Sequence, residues 1–212
     1  MTYLNTTSAN YLSSKGNVQR YPDKNVELCQ VKGFLTKAEC HQLIKRIDEK
    51  RRPSTIADAN GDDYFRTSET CDLDHGDSFV SNIDAKICDF ADIDSSYGEP
   101  LQGQRYAEGQ EFKPHTDFFD PNGQDFKKFC SESGQRTWTF VIYLNQPIAG
   151  GTTRFVKLKK SFIPNSGNLL CWNNMQPDGS VNELTLHHGM KVRKGTKYVI
   201  TKWFRERPWI WS

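Results

Sequence analysis

His115-Thr-Asp117 sets an imidazole and a carboxylate two residues apart. On a β-strand, residues i and i+2 project from the same side, so both can reach one ion. A third ligand from a distant strand would come from His187 or His188. Two histidines and one carboxylate on one face of an octahedral metal leave positions open, an arrangement suited to non-haem Fe(II) and oxygen. H-x-D alone equally describes an ordinary hydrogen-bonded pair, so the argument rests on what surrounds it. His41, on a helical pattern, and His75, at a turn, read as solvated polar positions. The six cysteines, at 29, 40, 71, 88, 130 and 171, show no C-x-x-C spacing. They read as reduced thiols, and zinc held through cysteine is not expected.

The elements that must position these side chains change character near residue 100. Before it, Cys40, Leu43, Ile44 and Ile47 recur at i, i+3, i+4 and i+7, directly after the capping-box pattern Thr36-Lys-Ala-Glu39. This predicts a helix over 37–50. Ile83, Ile87 and Phe90 predict a second over 81–91, and residues 51–80, with turn signals at Asn60-Gly61 and His75-Gly76, read as a long loop. After residue 100, Trp138, Phe140, Ile142 and Leu144 alternate with Thr139, Val141, Tyr143 and Asn145, the two-residue period of a strand. Similar runs occur at 101–107, 152–156, 168–173, 181–188 and 197–204, punctuated by glycine-containing turns. The expected fold is mainly β with supporting helices: a double-stranded β-helix, or jelly roll, with N-terminal α-helices packed on one sheet. Residues 1–25 read as a loose arm. Residues 26–212 read as one domain, with helical support over 26–100 and the jelly-roll core over 101–207.

Composition agrees with a single globular unit. The chain has 212 residues, 36% of them hydrophobic and 12% aromatic, and carries 28 basic against 26 acidic side chains. Such balance excludes a disordered chain and gives no field that would steer it to nucleic acid or anionic lipid. Lys191, Arg193, Lys194, Arg205 and Arg207 read as a solvated face. No apolar run approaches the roughly 20 residues that span a bilayer. The first 25 residues lack a basic n-region and an apolar h-region, so a cytoplasmic setting is expected, with no membrane and no nucleic acid as partner.

Several ordered motifs then resemble the prolyl 4-hydroxylase family of Fe(II)- and 2-oxoglutarate-dependent dioxygenases. Arg66-Thr-Ser68 and Leu73 look like its R-T-S loop. Gly98-Glu-Pro-Leu-Gln102 and Tyr106-Ala-Glu-Gly-Gln-Glu-Phe-Lys-Pro-His-Thr-Asp-Phe-Phe119 follow, the latter similar to Y-x-x-G-Q-x-Y-x-P-H-x-D. Downstream come Arg136, Tyr143-Leu-Asn145, Gly150-Gly-Thr-Thr153, Leu186-His-His-Gly189, Gly195-Thr-Lys197 and Lys202-Trp203. The likeness runs colinearly from residue 66 to residue 207.

Carried over by position, the resemblance implies that His115, Asp117 and His187 ligate iron and that Lys197 holds the far carboxylate of 2-oxoglutarate. Alternation along 184–192 instead places His188 on the same face as the apolar Leu184, Leu186, Met190 and Val192. The family's L-H-x-G register and its ten-residue step to the lysine select His187. Thr201 and Trp203 share the strand face of Lys197, and Tyr106 and Tyr143 match positions near the co-substrate. Arg66, Ser68, Phe112, Arg136 and Arg205 match positions near a peptide. Two of these depart from the family: Phe112 replaces the usual tyrosine, and Arg205 stands where histidine is frequent. The implied activity is 4-hydroxylation of a prolyl residue in a peptide or protein, using O2 and releasing succinate and carbon dioxide. Asp117 favours hydroxylation, since halogenating relatives lose this carboxylate. Ascorbate is an implied reductant, and a monomer or homodimer is expected. Alternatives are a hydroxylase of a free amino acid or other small molecule, and a non-catalytic jelly-roll binding protein. A nucleic-acid demethylase would call for a basic lid and an arginine in place of Lys197.

Overall fold

A computed structural model of the chain describes residues 8–54 and 65–209. The first part of the chain forms α1 (Ala9–Ser13), β1 (Val18–Arg20), β2 (Leu28–Val31), α2 (Lys37–Lys50), β3 (Arg52–Pro53), β4 (Glu69–Asp72) and α3 (Ser78–Ala91). Then follow β5 (Gln102–Tyr106), β6 (Phe112–His115), α4 (Gln124–Cys130), β7 (Arg136–Tyr143), β8 (Ala149–Gly150), β9 (Thr153–Phe155) and β10 (Lys160–Phe162). The last strands are β11 (Leu169–Asn173), β12 (His187–Gly189), β13 (Val192–Lys194) and β14 (Lys197–Arg205).

Eight strands form an antiparallel major sheet in the order β1-β2-β11-β7-β14-β5-β4-β3. Four form an antiparallel minor sheet in the order β10-β9-β12-β6. The strand period divides the side chains of the major sheet between two cores. Phe140, Ile142, Ile200 and Phe204 face α2 and α3, packing with Leu43, Ile47, Ile83 and Ile87. Tyr143, Leu170, Trp172 and Val199 face the minor sheet and pack with Phe155 and Phe162. The major sheet is therefore buried on both sides, and the site lies on its inner face.

Helix α2 begins as its sequence dictates. Thr36 Oγ1 accepts from the Glu39 amide, and the Glu39 carboxylate accepts from the Thr36 amide. Gly103 lets this helix approach the sheet closely, because a Cβ there would lie 2.4 Å from Ile47 Cγ1. Helix α3 is tied down by a buried ion pair, Lys202 Nζ to Asp84 Oδ1 at 2.7 Å.

Other expectations need correction. The stretch read as a loop over 51–80 contains β3 and β4, and α3 starts at Ser78 with Asp77 as its cap. The Asn60-Gly61 turn lies outside the described residues. Where a loose arm is expected, the described part carries α1, with Ala9 and Leu12 fully buried, and the edge strand β1. Short α4 has no counterpart in the sequence reading. The run over 181–188 is not one strand: a 3-10 turn at Glu183–Thr185 precedes β12. No helix among the described residues is long and apolar enough to cross a membrane.

Candidate metal centre and co-substrate pocket

His115 ends β6, and His187 opens β12 as its direct cross-strand partner. Asp117 follows two residues after His115. One potential ligand atom from each of the three lies within 4.8 Å of the others. Both imidazoles are fixed from behind: His115 Nδ1 lies 2.8 Å from the Lys113 carbonyl and His187 Nδ1 lies 2.9 Å from the Thr185 carbonyl. A carbonyl only accepts, so the proton of each ring sits on Nδ1 and the Nε2 lone pair is free for a metal. Burial, then the neighbouring His187, holds His115 well below the usual imidazole pKa. It is therefore neutral and able to ligate at pH 7. Phe112 stacks on the His115 ring at 3.4 Å between centroids, and Trp172 packs edgewise on His187 at 4.8 Å. These contacts restrict the rotation of both rings.

The 3-10 turn decides between the adjacent histidines. It resets the alternation, so that His187 is 6% exposed and enters the triad, while His188 Nε2 pairs with Glu111 Oε2 at 2.8 Å. No alternating pattern drawn through residue 184 could show this.

Lys197, at the start of β14, lines the same cavity as the triad. Its ammonium lies 5.3 Å from the Tyr106 ring centre and 5.5 Å from that of Tyr143, and it makes no hydrogen bond or ion pair among the described residues. Burial pulls its pKa down to about 7. Thr201, Trp203 and Tyr106 line this cavity. Thr201 Oγ1 donates to Gln104 Oε1 at 3.0 Å. Tyr143 is fully buried and does not line the cavity; its hydroxyl donates to Thr153 Oγ1 at 2.8 Å, and Thr153 does line it.

A groove of about 590 Å³ opens from the triad toward solvent. Phe112, Phe119, Trp203, Arg66, Arg136 and Arg205 are among its walls. Arg66 spans both chambers, donating to Ser68 Oγ and Thr70 Oγ1 while its guanidinium lies 4.9 Å from the Phe112 ring centre. Ser68, 3% exposed, sits behind Arg66 and lines neither chamber. Arg136 grips Glu99 with two 2.7 Å hydrogen bonds and lies 4.0 Å from the Trp203 ring centre. Arg205 is not part of a solvated basic face: it is 1% exposed and donates to the same Glu99 and to the Phe129 carbonyl. Burial pushes the Glu99 carboxyl upward, but the two arginines outweigh it and hold its pKa below the usual range. Sequence reasoning quoted Glu99 within a motif without giving it a role. Its burial between two cations is a tertiary fact.

The donor set fits Fe(II): two neutral nitrogens and one carboxylate, converging from one side and leaving other positions to small ligands. The unpartnered buried ammonium fits an anion in the same cavity.

The comparisons agree with this geometry. The family model described as the 2OG-Fe(II) oxygenase superfamily matches residues 101–205. The chain is 33% identical over 196 residues to probable prolyl 4-hydroxylase 8 of Arabidopsis thaliana, covering 81% of this chain and 66% of the relative. It is 34% identical over 196 residues to prolyl 4-hydroxylase 5 of the same plant, covering 81% and 65%. The chain thus spans about two thirds of the length of these curated relatives. The viral collagen prolyl hydroxylase of Paramecium Bursaria Chlorella virus-1, solved as a complex with 2OG, superposes with a TM-score of 0.67 at 25% identity. That match covers 91% of this chain and 97% of the viral one. A Trichoplax adhaerens prolyl hydroxylase, at 15% identity and a TM-score of 0.64, shares the fold over 96% of this chain and 89% of its own. With its His-Asp-His cluster and its two-sheet frame, the chain belongs to the prolyl 4-hydroxylase family within the 2OG-Fe(II) oxygenase superfamily.

Proposed function

We propose that the chain is an Fe(II)- and 2-oxoglutarate-dependent dioxygenase that hydroxylates the 4-position of a prolyl residue in a peptide or protein. Succinate and carbon dioxide are the co-products. The observation that carries this reading is Lys197, a buried ammonium without an anionic partner among the described residues, in one cavity with three convergent metal-type ligands. An uncompensated buried cation is costly, and a dicarboxylate reaching in from the metal offsets that cost.

Bound Fe(II), with 2-oxoglutarate and O2, supplies the oxidising power that protein side chains lack, enough to attack an unactivated C–H bond. His115, Asp117 and His187 would hold the ion. Lys197 would receive the far carboxylate of the co-substrate through a charge-assisted hydrogen bond. Thr201 and Trp203 wall the space between, and Tyr106 and Phe112 help to exclude water. The outer groove would take the substrate. Its aromatic walls suit a proline ring and its arginines suit peptide carbonyls, and its volume is more than a free amino acid fills. The peptide reading is favoured for that reason.

The six cysteines are buried and unpaired, a state that a reducing compartment maintains, and a cytoplasmic setting is part of the proposal. Ascorbate as a reductant and action as a monomer or homodimer belong to it as well. The test is incubation of the purified chain with Fe(II), 2-oxoglutarate and air, against proline-rich peptides and against free proline. The expected result is the mass gain of one oxygen atom on a peptidyl proline, with succinate formed in step. A gain on free proline alone would replace the substrate assignment. Failure to form succinate with any substrate would remove the enzymatic one.

A further inference from the structure

We propose that Trp172 is a positioning residue that decides, through three hydrogen bonds, which oxygen of Asp117 is offered to the metal. The inference rests on the reading of the triad as a metal site. Trp172 Nε1 donates to Asn174 Oδ1 at 3.0 Å, Asn174 Nδ2 donates to Thr139 Oγ1 at 2.9 Å, and Thr139 Oγ1 donates to Asp117 Oδ2 at 2.8 Å. Trp172, Asn174 and Thr139 are wholly buried, and Asp117 is 8% exposed. Water does not compete for these bonds.

The direction of each proton follows from the chemistry of the two ends. An indole N–H can only donate, so the oxygen of Asn174 must face it and the amide nitrogen must face Thr139. The Thr139 hydroxyl then accepts from Asn174 and has its single proton left for Asp117. An ionised carboxylate can only accept, which demands the same polarity from the opposite end. With both ends in agreement the relay has one consistent arrangement. Asn174 cannot swing away either, because its amide donates to the Thr137 carbonyl at 2.6 Å and its carbonyl accepts from the Asn182 amide at 2.8 Å.

The relay occupies Oδ2. The other oxygen, Oδ1, lies 3.9 Å from His115 Nε2, on the side where the histidines converge. Asp117 is thereby held to offer one oxygen rather than two, which keeps a coordination position open for a small ligand. The same indole packs on His187. One side chain therefore constrains ligands from two separate segments, the carboxylate through its N–H and the imidazole through its ring. Hydrogen-bonded neighbours of metal ligands commonly set affinity in this way.

The experiment is an anaerobic Co(II) titration of the whole chain, read by its visible spectrum, with the unfolding midpoint of the metal-free protein measured in parallel. Thr139→Val removes the donor at nearly constant volume. Trp172→Phe keeps a ring on His187 and removes only the indole N–H. Both are expected to weaken Co(II) binding by about 10- to 100-fold and to shift the visible band, while Thr139→Ser restores the parent behaviour. Binding and spectra equal to the parent in either Thr139→Val or Trp172→Phe would overturn the proposal. So would a failure of either variant to fold, since the relay would then serve packing. A parent chain that binds no Co(II) is a different result: it removes the metal-site reading itself.

Discussion

Lys197 is the residue whose charge the ligand-free fold leaves unbalanced. Its pKa falls from 10.5 to about 7, so between these values the unfolded chain holds a proton that the folded chain has released. Stability of the ligand-free protein should therefore rise with pH across that window, by up to about 1.4 kcal/mol per unit. Below about pH 7 both states carry the proton and the cost of the buried charge is at its full size. Lys197→Met should flatten this slope in urea unfolding followed from pH 7 to 10, and should abolish 2-oxoglutarate binding in calorimetry. A slope unchanged by the substitution would assign it to another group. The adjacent histidines separate as sharply. His187→Ala should eliminate Fe(II) binding in anaerobic dialysis, whereas His188→Ala removes only the pairing with Glu111 and should retain it.

At the scale of the element, legibility in the sequence followed the range of the interaction. Helix α2 could be read because its capping box, Thr36 and Glu39, is made within four residues. The parity of β7 was equally plain, and Thr139, which it sets on the polar face with Val141 and Tyr143, is the residue found against Asp117. Parity could not say what Thr139 touches, because Asp117 and Asn174 reach it from elsewhere in the chain. Nor could it survive the 3-10 turn before β12, where one short departure from extended backbone exchanges the faces of His187 and His188. The iron-ligand assignment was available only because the family's spacing to Lys197 spans that turn. Glu99 was hidden for the same reason as the relay. It joins the segment before β5 to Arg136 at the start of β7 and Arg205 at the end of β14, and these partners become neighbours only in the sheet. Glu99→Gln leaves two buried guanidinium groups short of their counter-charge and should cost about 3–5 kcal/mol in urea unfolding. A loss within about 0.5 kcal/mol, the range of an ordinary surface change, would show that the cluster is dispensable to the fold.

The whole molecule is two sheets of unequal security. The major sheet is covered by helices on one side and by the minor sheet on the other, and β14 is bonded along its length to β7 and β5. The minor sheet has four short strands and carries both histidines of the triad. Asp117, by contrast, is moored to Thr139 in the major sheet. An ion held by all three side chains would therefore act as a rivet between the sheets. In hydrogen-exchange terms, the amides of β7 and β14 should exchange only when the whole chain opens, whether or not metal is present. Those of β6 and β12 should become protected on loading with Fe(II) and lose that protection on chelation. Equal changes in the two sheets would count against the rivet. If the contrast is found, metal supply would govern how long the smaller sheet stays closed to proteases as well as whether the site can react.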